Sequence, residues 1–343
     1  MKKKWIYQIR GLAIIAVVIC HQQGILHDTE VIQLFTLFSV TTLVFLMGVT
    51  KALSIKKSAI NQEGILRYTL RSVTPVLYSY IIATFVYSYR GGLDYNALLT
   101  KILDFSACGA FYFIEYFLIL SLWAPLLYVV IKSFICKKIQ IKYKLILGFI
   151  IFMLIWRVGY LSIDGWNIFG QSYLFVYSIG LLIGQIELPK IKWIYCIPGF
   201  MVLLAGLFST KRFYWARMIG IHNYSGGIDI LAPKLQLNPP NISIIIYSFG
   251  IIAVAYVLFE MSNNSNVKAL KIAGIPFSVL GKYSMDIFLW HLYIQEYLNG
   301  YFISMEKNIV KWFIYYGAMF SVPIITRYLY NKAKTKVYQV IQE

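Results

Sequence analysis

Two side chains that could do chemistry, Arg10 and His21, lie in one apolar stretch near the N-terminus, over residues 7–26. Eleven helical steps of about 100° make about three turns, so both side chains are expected on one helix face, about 16 Å apart along the axis. A guanidinium binds phosphate groups, and an imidazole can take a proton near neutral pH. A titratable group at bilayer depth is costly, so we interpret this spacing as functional. The alternative for His21 is a buried histidine hydrogen-bonded to a neighbouring helix.

The element that must hold this pair is a membrane-spanning helix. About 20 apolar residues, each rising about 1.5 Å, cross a hydrocarbon core of about 30 Å. Three lysines, Lys2 to Lys4, precede the stretch, and lysine-rich ends stay in the cytoplasm. We therefore expect Arg10 near the inner surface and His21 deeper, towards the outer side.

The chain as a whole has the composition of a multi-pass membrane protein. Of its 343 residues, 59% are hydrophobic and 13% are charged, which is far from the average for soluble domains. The net charge of +18 comes from short Lys and Arg blocks between apolar runs. That is the positive-inside distribution, and it argues against nucleic acid as a partner.

The expected fold class is all-α: a bundle of about ten transmembrane helices in the cell membrane, with both termini cytoplasmic and residues 1–343 as a single domain. Lys51, Lys56 and Lys57 are assigned to a cytoplasmic loop on this basis. Gly180 and Gly184 form a small-residue face suited to close helix packing. The apolar runs lie near 7–26, 31–51, 72–89, 111–132, 144–160, 168–186, 192–209, 242–260, 279–298 and 308–328.

Several common chemical signatures are missing from the sequence. The four cysteines have no metal or redox spacing. No glycine-rich phosphate loop, metal-ligand cluster or nucleophile elbow is present. We therefore expect no bound metal.

Arg67, Arg71 and Pro75 follow the second apolar run at intervals of four residues. The arginines should stack on one face of a helix that enters the membrane from the cytoplasm. A fork of arginine donors there suits the phosphate groups of a ligand. The alternative is plain positive-inside anchoring, which any membrane protein shows.

Three further ionisable side chains lie within apolar runs. Glu115, near the outer surface, could orient a histidine or accept a proton from a sugar hydroxyl. It could equally pair with Arg157 at similar depth, and we favour this pairing slightly because intramembrane charges of opposite sign seek each other. His291 is expected at a depth comparable with His21. Asp286, about 140° away from His291 around the helix, is not an obvious partner for it.

The longest outer segment, 210–241, mixes aromatic and polar side chains and ends at a Pro239-Pro240 turn. Flat rings with nearby polar groups suit the faces of sugars, so this segment is a candidate acceptor lid. The alternative is an amphipathic segment resting at the membrane interface. The candidate acceptor-binding residues are Tyr214, Trp215, Arg217 and His222.

Together these motifs resemble the membrane-bound acyltransferase-3 family, whose members O-acylate cell-surface sugars with an acyl-CoA. The resemblance begins at RGLAIIAVVICH in the first run and includes the spacing of Arg67, Arg71 and Pro75. Where the family often has Ser-Gly at the end of its second helix, this chain has Met47-Gly48. Further matching positions are Tyr112 (in place of Trp), Phe113, Tyr116, Pro125, Gly281, Tyr283, Ser284, Trp290 and His291.

The resemblance implies an O-acyltransferase that moves an acyl group, most commonly acetyl from acetyl-CoA, to a hydroxyl of a cell-surface or lipid-linked glycan. Arg10, Arg67 and Arg71 would contact the phosphates of the coenzyme. His21 would act as general base or as a transient acyl carrier, with Glu115 and His291 as secondary catalytic candidates. Two other classes stay open: a transporter or flippase of lipid-linked sugars, and a polysaccharide polymerase.

Overall fold

The fold is known from a computed structural model that describes residues 3–21, 30–60, 64–90, 95–136, 140–161, 167–188, 192–206, 239–302 and 309–342. These ranges contain helices and turns but no strand, so the expected all-α class is confirmed. The helices are α1 Lys4–Cys20, α2 Glu30–Thr36, α3 Ser39–Ile60, α4 Ile65–Arg90, α5 Tyr95–Leu103, α6 Tyr112–Cys136, α7 Ile141–Gly159, α8 Ser172–Gln185, α9 Trp193–Gly206, α10 Ile242–Asn264, α11 Lys268–Ala273, α12 Ile275–Lys282, α13 Ser284–Phe302 and α14 Ile309–Gln342.

Three segments within these ranges are long and apolar enough to cross a membrane: Leu34–Lys57, Gly109–Cys136 and Ile242–Asn264. A fourth span results if Lys268–Lys282 and Ser284–Asn299 are counted as one bent unit. The ten-helix count and the cytoplasmic placement of both termini therefore stay predictions.

One predicted helix is broken. The apolar run 279–298 was expected to be continuous, but α12 and α13 meet at Tyr283 with an angle of 74° between them. The expectation was wrong because hydropathy reports which residues are apolar and not where the backbone turns. After the break, α13 contacts α1, and its Phe288 contacts Phe113 of α6.

Helix α1 lies at the centre of the bundle and packs against α3, α10, α12 and α13. Its side chains Ile9, Ala13 and Val18 are fully buried. The approach of α12 is close because each helix contributes a glycine to the contact: a Cβ on Gly11 of α1 would overlap the Phe277 carbonyl, and one on Gly281 of α12 would overlap the Tyr7 carbonyl. Arg10 is thus carried by a largely buried helix, and His21 lies at its C-terminal end.

The small-residue face expected at Gly180 and Gly184 is confirmed. It packs α8 directly against α3, where a Cβ on Gly180 would overlap the Phe45 carbonyl. Gly48 contributes the matching surface on α3, since a Cβ there would overlap the Tyr177 carbonyl. This backbone-to-backbone contact holds α3, and with it Met47 and Lys51, at a defined distance from the rest of the bundle.

Candidate active site

The two histidines named from the sequence meet in the structure. The imidazole rings of His21 and His291 have centroids 5.3 Å apart and are tilted by 47°. His21 follows the last residue of α1 as its C-cap, and its carbonyl accepts a hydrogen bond of 3.0 Å from the Gln295 side chain of α13. The two residues therefore lie side by side, and their depth in the membrane stays a prediction.

The hydrogen bonds of His291 identify which ring nitrogen carries the proton. Its Nδ1 lies 2.8 Å from the Phe288 carbonyl and 3.1 Å from the Ile287 carbonyl. Carbonyl oxygens only accept, so Nδ1 donates and Nε2 of the neutral ring keeps its lone pair. His291 is 0% exposed, and Nε2 has no hydrogen-bond partner within the described part of the chain. A buried nitrogen of this kind is available as a base or proton acceptor.

A tyrosine hydroxyl is inserted into the backbone of α13 beside His291. The Tyr293 N–H donates to the Tyr87 hydroxyl at 2.8 Å, and that hydroxyl donates to the Leu289 carbonyl at 3.2 Å. Residues 289 and 293 would ordinarily bond to each other as an i and i+4 pair, so Tyr87 bridges an opened helical turn. His291 lies within that turn, and Tyr87 therefore positions it.

A cavity of about 280 Å³ lies next to the histidines. Its wall includes the cations Arg10 and Lys51, with the hydroxyl side chains Thr50, Ser72 and Ser284. The remaining lining residues are Leu43, Met47, Ser54, Tyr68, Phe113, Phe117, Met285 and Phe288.

The cavity and the histidine pair are separated by one aromatic ring. Phe288 lines the cavity, contacts the Phe113 ring at 4.8 Å between centroids and contacts the His291 ring at 5.9 Å. The cavity wall therefore combines two cations with the aromatic rings of Phe113, Phe117 and Phe288. An elongated ligand with an anionic head and an apolar arm fits this distribution of side chains.

A family model described as an acyltransferase domain matches residues 3–328. The chain belongs to the acyltransferase-3 family. No curated protein and no solved structure gives a significant match to it. The matched range includes Arg10, both histidines and every residue that lines the cavity. Membership supports acyl transfer as the reaction class and membrane association for this chain.

Lys51 is a feature of this acyltransferase-3 chain that the sequence reading missed. The assignment of Lys51 to a cytoplasmic loop was wrong: it lies inside α3 and is 7% exposed. Lys51 follows Leu43 and Met47 at intervals of four residues, and all three line the cavity. This interval could have predicted the position of Lys51 from the sequence. Residues four apart lie on one face of a helix, so Lys51 shares the face of Leu43 and Met47.

The arginine pair expected to bind the coenzyme lies on a different face of its helix. Arg67 and Arg71 are exposed, whereas Tyr68 and Ser72, each one position later, line the cavity. One helical step is about 100°, which accounts for the difference. The coenzyme contact of Arg67 and Arg71 stays a prediction.

Glu115 does not form the expected ion pair. Within the described ranges, no carboxylate–guanidinium contact joins Glu115 to Arg157, and Arg157 is exposed. Helix α8 packs against both α6 and α7. Tyr173 of α8 contacts Tyr116, next to Glu115, and Phe175 contacts Trp156, next to Arg157. The catalytic role suggested for Glu115 stays a prediction.

The intramembrane acid Asp286 has an ion-pair partner on another helix. The Arg327 Nε of α14 lies 3.7 Å from the Asp286 carboxylate. Asp286 is therefore directed towards α14 rather than towards His291. Its pairing accounts for a charge that the sequence left unexplained.

The predicted acceptor-binding residues Tyr214, Trp215, Arg217 and His222 lie outside the described residues. The same holds for most of the proposed lid 210–241, whose described part begins at Pro239. Ser172 of α8 donates a hydrogen bond of 2.7 Å to the Pro240 carbonyl, which attaches the end of this segment to the bundle.

Proposed function

We propose that this acyltransferase moves an acyl group, acetyl in the commonest case, from acyl-CoA at the cytoplasmic side of the cell membrane to a hydroxyl of a cell-surface or lipid-linked glycan. The observation that carries the proposal is the contact between His21 and His291 beside a cavity that contains two cations. The family match supports the acyl transfer itself. The donor and the acceptor are the proposed parts.

The donor enters from the end of α1 that begins with lysines, with its phosphates near Arg10. Its acyl-pantetheine arm lies along Met47, Phe113 and Phe288, which provide an apolar wall. Rotation of the Phe288 ring joins the cavity to the histidine pair. The thioester carbonyl then reaches His21 while the phosphates stay at the cationic end.

His21 acts as the general base. Its imidazole takes the proton of the glycan hydroxyl while the hydroxyl oxygen attacks the thioester carbonyl carbon. The carbon–sulfur bond breaks, and the leaving thiolate takes the proton back from the imidazolium, so His21 returns to its neutral form. His291 Nε2 then accepts a hydrogen bond from the protonated His21 ring and so stabilises its transient positive charge.

The acceptor approaches from the opposite side, where the segment 210–241 would cover it. The experiment that tests the function is transfer of radiolabelled acetyl from acetyl-CoA to glycan in membranes with and without the protein. Mass spectrometry of the surface glycans should show the added mass of one acyl group. A transporter or a polymerase would leave glycan acylation unchanged, and that result would overturn the proposal.

A further inference from the structure

Two positively charged side chains line the cavity without any acidic side chain among the described lining residues. Arg10 and Lys51 both contribute to the wall. Neither forms an ion pair with a carboxylate in the part of the chain that the structure describes. Like charges in one cavity repel each other and focus a positive potential, so the site favours an anionic ligand.

Lys51 is the more enclosed of the two cations. Its Nζ donates to the Ser72 hydroxyl at 2.8 Å and lies 5.7 Å and 5.6 Å from the ring centroids of Tyr68 and Phe117. The Ser72 hydroxyl donates its own proton to the Thr69 carbonyl at 2.9 Å, so it acts towards Lys51 as an acceptor. An ammonium has three N–H donors, and one of them bonds to the Ser72 hydroxyl. A neutral hydroxyl and two aromatic rings do not neutralise the buried positive charge.

The start of α13 adds donors suited to oxygen atoms. Helix α13 begins at Ser284, and Ser284 and Met285 both line the cavity. A helix N-terminus presents unbonded N–H groups and a positive partial charge. Ser284 is 8% exposed and lines this cavity together with the two cations. The break at Tyr283 is what places this helix end at the cavity.

We propose that Lys51, with Ser72 and the start of α13, forms a phosphate-binding site, and that its ligand is the diphosphate of the coenzyme A donor. The inference rests on the proposed function for the identity of the ligand. It assigns to Lys51 a phosphate contact that we predicted from the sequence for Arg10, Arg67 and Arg71. A diphosphate at this point leaves the apolar half of the cavity for the pantetheine arm.

The same phosphate chemistry could come from an anionic lipid headgroup. The aromatic half of the cavity favours the coenzyme, because the wall from Met47 to Phe288 leads to the histidine pair and so to a reactive end. A lipid headgroup would need no such path. The test therefore includes one arm for each source of phosphate.

The test uses the full chain reconstituted in phosphatidylcholine nanodiscs, with coenzyme A binding followed by equilibrium titration and by thermal melting. Lys51→Met removes the charge and keeps a flexible side chain of similar length, whereas Lys51→Arg keeps the charge. Lys56→Met is the matched control, since Lys56 lies on the same helix and is exposed. Inorganic diphosphate serves as competitor.

We expect Lys51→Met to weaken coenzyme A binding by about tenfold to a hundredfold, as for loss of a charged hydrogen bond. Lys51→Arg and Lys56→Met should stay within a few-fold of the wild type. Without ligand, Lys51→Met should melt at a higher temperature, because it removes a buried charge that has no acidic partner. A lysine with a purely structural role would show the reverse, with a lower melting temperature and unchanged affinity.

Three results would overturn the inference, and they are distinguishable. If the wild type and Lys51→Met bind coenzyme A equally, Lys51 is not the phosphate contact and the proposed function is untouched. If coenzyme A does not bind but phosphatidylglycerol nanodiscs stabilise the wild type and not Lys51→Met, the ligand is a lipid and the acyl-CoA donor is wrong as well. If neither phosphate source acts on the wild type, both proposals fail.

Discussion

His21 and His291 come from opposite ends of the chain, yet their imidazole rings lie 5.3 Å apart. The contact depends on α13 crossing the C-terminal end of α1, where Gln295 bonds the His21 carbonyl. One ring has a defined tautomer and an unused buried nitrogen. His291 therefore places a proton-accepting ring beside His21, and we expect the pair to take part in removing the proton of a hydroxyl acceptor.

The first prediction concerns His21. His21→Ala should lower acyl transfer by about 10²- to 10⁴-fold, the usual contribution of a general base. Coenzyme A affinity should remain, because the cavity lies beyond the Phe288 ring. Transfer and coenzyme binding are measured on the same nanodisc preparation. Undiminished transfer by the variant would remove His21 from the mechanism.

The second prediction separates the two nitrogens of His291. An asparagine side chain can replace the Nδ1 donor to the Phe288 carbonyl but has nothing at the position of Nε2. We expect His291→Asn and His291→Ala to lose a similar factor in turnover and to alter the pH profile of the reaction. If His291→Asn behaves as the wild type, the residue only supports the helix, and its Nε2 has no role.

The third prediction concerns Tyr87, which bridges the opened turn of α13. Tyr87→Phe leaves the Tyr293 N–H and the Leu289 carbonyl without their partner, a change worth about 1–3 kcal/mol when such groups are buried. Turnover should fall while coenzyme A affinity is kept, since Tyr87 does not line the cavity.

The control for this variant is Tyr89→Phe. Tyr89 lies on the same helix and is 70% exposed, so loss of its hydroxyl should change neither turnover nor melting temperature. Equal effects of the two variants would show that the bridge does not position His291.

The fourth prediction concerns the contact between α3 and α8. Gly180→Ala forces a methyl group against the Phe45 carbonyl, and overpacking of this kind costs about 1–3 kcal/mol. We expect a lower melting temperature in detergent and weaker coenzyme A binding, because α3 carries Met47 and Lys51. Gly317→Ala is the control, since no heavy atom of the described residues lies within 4 Å of a Cβ there. It should be neutral or stabilising, because alanine favours a helix over glycine.

Much of this site could be predicted from local sequence. The interval between Arg10 and His21, the helical class and the small-residue face of α8 depend on periodicity within one element, and periodicity is present in the sequence itself. The prediction that Arg67 and Arg71 lie on one face of a helix depends on periodicity in the same way, and both are exposed on α4. Their interval does not show which face of α4 lines the cavity. The inward face depends on where the neighbouring helices pack.

The sequence by itself determined that the protein is an all-helical member of the acyltransferase-3 family with a cation and an imidazole eleven residues apart near its N-terminus. The tertiary structure decided which residues join them: His291 against His21, Lys51 in the cavity, Tyr87 inside the turn of α13, and Arg327 rather than a histidine beside Asp286. The reason is physical. Side-chain spacing is a property of one helix, whereas a cavity and its contacts arise only when several helices pack and each excludes the others from the space it fills.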